Sequence, residues 1–370
     1  MKRTGNLYQR IADMENLRLA DEKARRGKKN TYGVRVHDAN RERNLEALHE
    51  ALLTGTFRTS PYHVFAIHEP KERMIYRLPY YPDRIVHHAV MNILEPLWTR
   101  LFTHNTYSCI KGRGVEGCAR RVDKVIRMYD GKALYCLKID IRKYYPSVRH
   151  DILKQILRRK IKDADVLRLL DEIIDSAPMD YEGRQMADGA KGAEGAHGIP
   201  IGNYLSQYFA NIYLCYFMHW ANERMAGEVK EALDLTEKPH VEVTEYADDI
   251  VFFADSKAVL HEVLRLIRGR IETDLALRIK GNWQIFPMAK NRYDRYGRAL
   301  DYVGYLFYRE QKLMRKSIKK TFCRKVARLN RREKPLGVKA YKRVVAPWLG
   351  WAQHSDSKHL MNKILMKGVI

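Results

Sequence analysis

Two adjacent carboxylates, Asp248 and Asp249, stand between two apolar runs in the stretch Glu245-Tyr246-Ala247-Asp248-Asp249-Ile250-Val251-Phe252-Phe253-Ala254-Asp255. Val241 to Tyr246 reads as one strand and Ile250 to Ala254 as the next, since β-branched and aromatic residues fill both. The Asp pair then falls at a tight hairpin turn. Consecutive side chains on a plain strand point to opposite faces; at a turn both carboxylates can approach one point. Two carboxylates held close repel unless a proton or a cation neutralises them. Hard divalent cations take oxygen ligands, so Mg²⁺ is the natural partner, with Mn²⁺ as a substitute. An Asp-Asp dipeptide alone is common, and a solvated turn also accounts for it. A third carboxylate separates the two readings.

That carboxylate is Asp140, in Leu134-Tyr135-Cys136-Leu137-Lys138-Ile139-Asp140-Ile141-Arg142-Lys143-Tyr144-Tyr145-Pro146-Ser147. Tyr135, Leu137, Ile139 and Ile141 alternate with Lys138 and Asp140, which is a strand pattern with Asp140 near its end on the polar face. Nucleotidyl transfer by two metal ions, held roughly 4 Å apart, needs bridging carboxylates of this kind. Between the two motifs lies Gly198-Ile199-Pro200-Ile201-Gly202-Asn203-Tyr204-Leu205-Ser206-Gln207, a Gly/Pro-marked loop that runs into a long helix. By itself it reads as an ordinary capped, buried helix.

In this order and spacing the three motifs resemble the palm of reverse transcriptases, over roughly Tyr62 to the C-terminus. The resemblance implies an α+β right-hand polymerase with fingers, a palm of antiparallel sheet backed by helices, and a helical thumb. It implies that Asp140, Asp248 and Asp249 hold two Mg²⁺ ions, with Ile141 adding its backbone carbonyl. Lys71 and Arg73, on a basic hairpin, would grip the incoming deoxynucleoside triphosphate together with Arg142. Tyr145 lies five residues after Asp140, where an aromatic blocks a sugar 2′-hydroxyl in this family. Ile201 and Gly202 would line the nascent pair. Most reverse transcriptases carry Gln-Gly here and Ser-Pro at the motif's end. Ile201-Gly202 and Ser206-Gln207 look instead like the enzymes of diversity-generating retroelements. Those copy a structured template RNA into cDNA with errors at adenines, through an RNA/DNA hybrid, and work with a small basic accessory protein. Antiphage-defence reverse transcriptases are the nearest rival; a maturase-like RNA-binding protein is the rival from another class.

Charge points the same way. The 370 residues carry a net charge of +24, which suits a polyanionic partner such as nucleic acid. No apolar run reaches the ~20 residues of a spanning helix, so no membrane partner is expected. The N-terminus lacks an apolar signal core, which suits a cytoplasmic protein; the resemblance implies a bacterial one. Cys109, Cys118, Cys136, Cys215 and Cys323 lack metal-site spacing and read as reduced, mostly buried thiols.

Three divisions are expected: a basic extension over 1–60, fingers and palm over 61–310, and a basic helical thumb over 311–370. Within the extension, residues 1–43 hold 12 Lys/Arg against 6 Asp/Glu. A helix is expected over 10–24, then a basic break at Arg25 to Asn30, then a helix over 44–53. Pro82 to Trp98 reads as a helix with Ile85, Ala89, Ile93 and Leu97 as its core stripe; His87 and His88 diverge in direction and read as structural. Lys111 and Arg113, flanking Gly112, lie in a stretch that resembles the template-contacting segment between fingers and palm of bacterial reverse transcriptases, which implies template contact. One helix is expected over 147–176, a loop over 179–197, a helix from Asn203 to about Met225, a charged insertion over 227–239, a helix over 260–277 and a strand over 299–307. Residues 309–343 hold 15 Lys/Arg and two acids, which suits a thumb tracking a duplex through Lys316, Lys319, Lys320, Arg324 and Lys325. Trp348 and Trp351 read as thumb core.

Overall fold

A computed structural model of the protein describes residues 3–68, 72–176, 195–332, 334 and 336–365. Helices α1 (Tyr8–Ala12) and α2 (Met14–Ala24) part at Asp13. The Asp13 carboxylate accepts from the Glu15 and Asn16 amides and starts the second helix, so the single helix expected over 10–24 is broken by an N-cap. Next come α3 (Tyr32–Asp38), α4 (Arg41–Leu53) and an antiparallel hairpin of β1 (His63–Ile67) with β2 (Arg73–Arg77). The following helix, α5, spans Ile85–Leu101, and the residues from Pro82 to Arg84 belong to a π-turn (Tyr80–Arg84) that runs into it. Helix α6 (Gly114–Met128) leads to β3 (Tyr135–Asp140).

Where one helix was expected over 147–176 there are three pieces: a turn α7 (Tyr144–Ser147), α8 (His150–Arg158) and α9 (Ala164–Asp175). Asp163 makes the break, capping α9 through the Val166 amide while also accepting from the Leu7 and Tyr8 amides. Most of the expected 179–197 loop lies outside the described residues. Helix α10 covers Tyr204–Glu223, and α11 (Met225–Ala232) makes the first part of the expected charged insertion helical. Strands β4 (Glu242–Tyr246) and β5 (Asp249–Ala254), helix α12 (Lys257–Leu275) and strand β6 (Gln284–Pro287) follow. The strand expected over 299–307 is a hairpin instead, β7 (Leu300–Tyr302) turning at Val303-Gly304 into β8 (Tyr305–Phe307), with β9 (Lys312–Met314) beside it. Helices α13 (Lys316–Asn330), α14 (Val338–Gln353) and α15 (Lys358–Ile364) end the chain's described part.

The chain divides into two compact units, each built from three stretches. The first comprises residues 1–109, 141–221 and 267–280. Its core centres on α5 packed against α2. Of the expected α5 stripe, Ile85 and Ala89 are buried while Ile93 and Leu97 are only half-buried; Val86, Val90, Met91, Leu94, Trp98 and Leu101 complete the buried face. The expected stripe therefore holds in the first half of α5, and in the second half Leu94, Trp98 and Leu101 replace Ile93 and Leu97 on the inner face. His87 is buried and His88 stacks on Tyr204, which fits structural roles. A fully buried carboxylate, Asp21, takes hydrogen bonds from Arg25, Arg41 and Tyr80 and ties α2 to the segment before α5.

The second unit comprises residues 110–140, 222–266 and 281–370. Its centre is a four-stranded antiparallel sheet in the order β4-β5-β3-β6, with α6 packed on β4. Every residue of β5 from Ile250 to Ala254 is buried, so that strand is apolar on both faces. The three C-terminal helices close around Phe322, Val326, Leu329, Tyr341, Val345 and Met361, with Trp348 and Trp351 packed against them. No helix among the described residues is long and apolar enough to cross a membrane.

Candidate active site

Strand register brings the acidic residues together. Asp140 is the last residue of β3 and lies directly opposite Asp249, the first residue of β5. Asp249 pairs on its other side with Tyr246, so Ala247 and Asp248 alone make the turn between β4 and β5. The acidic pair therefore straddles turn and strand. Ala247 sits at φ +56, a backbone region that residues with a Cβ seldom occupy. Strained backbone of this kind collects at functional sites and is held by the structure around it. Tyr302, buried beneath the turn, supplies part of that hold: its hydroxyl donates to the carbonyls of Asp249, at 3.0 Å, and Thr244, at 3.3 Å.

Like charges directly opposite across two strands destabilise a sheet. Lys138 answers part of that cost. It lies two residues before Asp140, on the same face, and its Nζ is 3.1 Å from Asp249 Oδ2. The same ammonium donates to the Asp301 carbonyl at 2.7 Å and lies 5.7 Å from the centre of the Tyr302 ring. The compensation is incomplete. Burial pushes the Asp249 carboxyl up to about 6; Lys138 opposes this, and Asp140 and Asp248 add to it. Neither Lys138 nor Tyr302 stood out in the sequence reading as a site residue. The available signal was the period-two step from Lys138 to Asp140 on one strand face.

Among the described residues, no three His, Cys, Asp or Glu side chains form a ready metal-ligand set. The donors nonetheless fit a hard divalent cation. They are carboxylate oxygens; Asp249 Oδ1 is buried with no hydrogen-bond partner, and the other two acids disfavour its charge.

The expected nucleotide-side residues belong to the first unit, and several are tied to one another there. The Ile201 carbonyl accepts from the Tyr76 amide at 2.9 Å, docking the loop before α10 onto β2. The next residue, Gly202, is at φ +115, and a Cβ there would meet Ile75 Cγ2 at 3.1 Å and the Tyr76 carbonyl oxygen at 3.3 Å. Only glycine fits both constraints. Tyr145, in α7, is half-buried, and its carbonyl accepts from the Ile199 amide at 3.0 Å. Tyr145, Ile201 and β2 are thereby linked through backbone. Arg73 is exposed at the start of β2, and Lys71 lies outside the described residues. Ile141 is buried and bridges Ile279. Arg142 is exposed, its amide bonded to the Arg278 carbonyl, and with Lys143, Ser147, Glu272 and Arg278 it lines a cavity of about 520 Å³.

The expected nucleic-acid contacts fall in the second unit. Lys111 is exposed and Arg113 half-buried in the turn before α6. On α13, Lys316, Lys319, Lys320 and Arg324 are exposed while Phe322, Val326 and Leu329 are buried; Lys325 is half-buried at the boundary. The helix therefore offers one basic face with its apolar face satisfied.

Residues 68–281 match the family described as "Reverse transcriptase (RNA-dependent DNA polymerase)". Among curated proteins, Protein YkfC of Escherichia coli (strain K12) is 26% identical over 258 residues, covering 64% of this chain and 65% of that protein. Nuclear intron maturase 4, mitochondrial, of Arabidopsis thaliana is 23% identical over 186 residues, covering 50% of this chain and 22% of that protein. The chain thus spans less than two thirds of the length of either relative. Among solved structures, telomerase from Candida albicans aligns over 83% of this chain and 58% of its own, at 10% identity and a TM-score of 0.49.

Proposed function

The chain belongs to the reverse transcriptase (RNA-dependent DNA polymerase) family and has its right-hand polymerase fold, and we propose that it extends a DNA primer along an RNA template. The observation that carries this is the pairing of Asp140 with Asp249, with Asp248 in the adjoining turn. Asp140, Asp248, Asp249 and the Ile141 carbonyl would hold two Mg²⁺ ions. Such ions, when bound, make the primer 3′-hydroxyl more acidic and neutralise charge on the departing pyrophosphate.

The chain's own residues bind and select. Lys71, Arg73 and Arg142 hold the triphosphate as cations. The Tyr145 ring excludes a 2′-hydroxyl, favouring deoxynucleotides. Ile201 and Gly202 line the nascent pair, Gly202 by letting backbone approach closely. Lys111, Arg113 and the basic face of α13 grip phosphates of the template and the RNA/DNA hybrid. Residues 61–310 act as fingers and palm and 311–370 as thumb, after the basic extension of 1–60.

The finer reading is a diversity-generating retroelement enzyme of a bacterium or phage, working in the cytoplasm on a structured template RNA with a small basic accessory protein. Ile201-Gly202 and Ser206-Gln207 support it. A second reading, an intron-maturase role in RNA binding, is favoured by the similarity to Nuclear intron maturase 4.

Primer extension on an RNA template tests the first reading. Asp140→Asn and Asp248→Asn should each abolish synthesis while RNA binding persists. Near-wild-type extension by either variant in Mg²⁺ would remove the catalytic assignment.

A further inference from the structure

Between β6 and β7 the chain makes an excursion in which arginine and tyrosine alternate: Lys290-Asn291-Arg292-Tyr293-Asp294-Arg295-Tyr296-Gly297-Arg298. Neither the carboxylate site nor the thumb uses it. Tyr293 is 74% exposed and Tyr296 93%. Large rings left in solvent on a folded segment need a reason, because burial would stabilise them. A floppy loop is not the reason here. Asn291 Oδ1 accepts from the Tyr293 amide at 2.9 Å. The Asp294 carboxylate accepts from the Lys290 amide at 2.8 Å and the Tyr296 amide at 2.9 Å. At the base, the Arg298 amide donates to the Pro287 carbonyl and the Ala289 amide to the Arg298 carbonyl. Gly297 permits the crossing: a Cβ there would stand 2.5 Å from the Ala289 nitrogen. The rings are thus held outward by backbone.

Charge describes the missing partner. The excursion carries four Lys/Arg against one acid, Asp294, whose oxygens are engaged by amides. The Arg292 guanidinium lies 4.6 Å from the centre of the Tyr293 ring and donates to its hydroxyl, which sets a cation beside the exposed ring. Beside it opens a groove of about 490 Å³, whose lining includes Arg127, Lys132, Lys290 and Arg309, with Asp130 and Glu310 as its acids. The location is also informative. β6 runs antiparallel to β3 with Pro287 opposite Tyr135, so the excursion leaves the sheet at the end away from Asp140. A five-residue step along a strand spans about 17 Å.

We propose that this excursion and its groove bind single-stranded RNA outside the reaction centre, bases stacking on Tyr293 and Tyr296 and phosphates held by Arg292, Arg295, Lys290 and Arg309. Planar rings interleaved with guanidinium groups suit unpaired bases, whose faces are open. A protein partner would call for apolar neighbours around the rings, and this excursion has none. The proposal deepens the RNA-templated reading: the copied strand needs a hold on its unpaired part while chemistry proceeds elsewhere.

Three forms of the full chain decide it: wild type, Tyr293→Ala with Tyr296→Ala, and Tyr293→Phe with Tyr296→Phe. The probes are a short oligo(rU), the same oligomer carrying 4-thiouridine, and a pre-annealed RNA/DNA primer-template whose unpaired template is only about two nucleotides, enough to direct extension but too short to span the ~17 Å to the excursion. The Ala pair should weaken oligo(rU) about ten-fold or more, the Phe pair should match wild type, and 4-thiouridine should cross-link within residues 290–298. Extension of the short primer-template should stay unchanged in all three. An Ala pair of unchanged melting temperature that binds oligo(rU) like wild type would overturn the proposal. So would an equal loss in the Phe pair, or cross-links confined to other segments. Failure of the wild type to extend any primer would instead count against the polymerase reading, leaving the binding comparison intact.

Discussion

Lys138 and Asp249 form an ion pair on neighbouring strands, 3.1 Å from Nζ to Oδ2, with side chains 28% and 30% exposed. It links a cation on β3 to an acid whose charge burial disfavours. Removing the ammonium in Lys138→Met leaves Asp140, Asp248 and Asp249 with less compensation. Without divalent ions the variant should be less stable by about 1 kcal/mol, a modest figure because the pair is partly solvated. Adding Mg²⁺ should recover much of this, so the Mg²⁺-induced rise in Tm should be larger than in wild type. Equal rises in the two proteins would show that Lys138 does not stand in for cation charge.

Tyr145→Ala should let ribonucleotides into the product. The Tyr145 backbone remains tied to Ile199, so the substitution removes the ring without releasing the loop. Competition between paired deoxy- and ribonucleoside triphosphates measures the effect. Unchanged discrimination would place the gate elsewhere.

Ile201→Gln should lower misincorporation opposite template adenine. The Ile201 side chain offers no hydrogen bond, whereas a Gln amide can make one that depends on correct pair geometry. A bond of that sort is worth about 1 kcal/mol, several-fold in rate. The Tyr76-to-Ile201 backbone bond survives the change, which guards against simple unfolding. Sequencing cDNA from both forms on one RNA decides; equal adenine error rates at equal activity and stability would refute the role.

Neutralising four of Lys316, Lys319, Lys320, Arg324 and Lys325 should weaken duplex binding and flatten its salt dependence. Each lost phosphate contact should reduce the log–log slope by about 0.7–0.9. The apolar face of α13 is untouched, so melting should be nearly unaffected. An unshifted slope would mean the face is merely solvated.

Asp21→Asn should destabilise the first unit by about 3 kcal/mol at neutral pH, as expected when one partner leaves a buried charged cluster. Burial alone would raise the Asp21 carboxyl; the His37 ring 3.5 Å away and hydrogen bonds from Arg25, Tyr80 and Arg41 outweigh it and hold the group well below the usual carboxylate range. The ordinary unfolded value is about 4. A folded value depressed below that contributes stability in full above pH 4 and loses it as pH falls further. The gap between wild type and variant should therefore narrow in acid, and chemical denaturation at several pH values reads it. A gap that stayed constant down to pH 3 would remove the charge argument.

The acids of the candidate site were legible because chemistry fixes their type and strand pattern fixes their place: Asp140 near a strand end follows from alternation, and the Asp pair near a turn follows from the two apolar runs on either side of it, although Asp249 itself opens β5. What alternation could not show was which residue faces which. The opposition of Asp140 and Asp249 is a matter of register between strands far apart in sequence, and Lys138 acquires meaning only through it. Local breaks were hidden for a related reason. Asp13 and Asp163 each divide what reads as one helix, and the second does so while accepting amides from Leu7 and Tyr8, a long-range contact. The Val303-Gly304 hairpin was read as continuous strand because apolar alternation runs through the turn.

Because β5 is apolar on both faces, hydrophobic pattern cannot choose its alignment: sliding it by one residue would bury as much. The two-residue turn at Ala247-Asp248 does the choosing, acting as the clock that times Asp249 against Asp140. The geometry of the three acids is in this sense written in turn length. One added residue there would leave a chain free to fold, and free to fold out of phase, with its acids on opposite sides of the sheet and its core undisturbed.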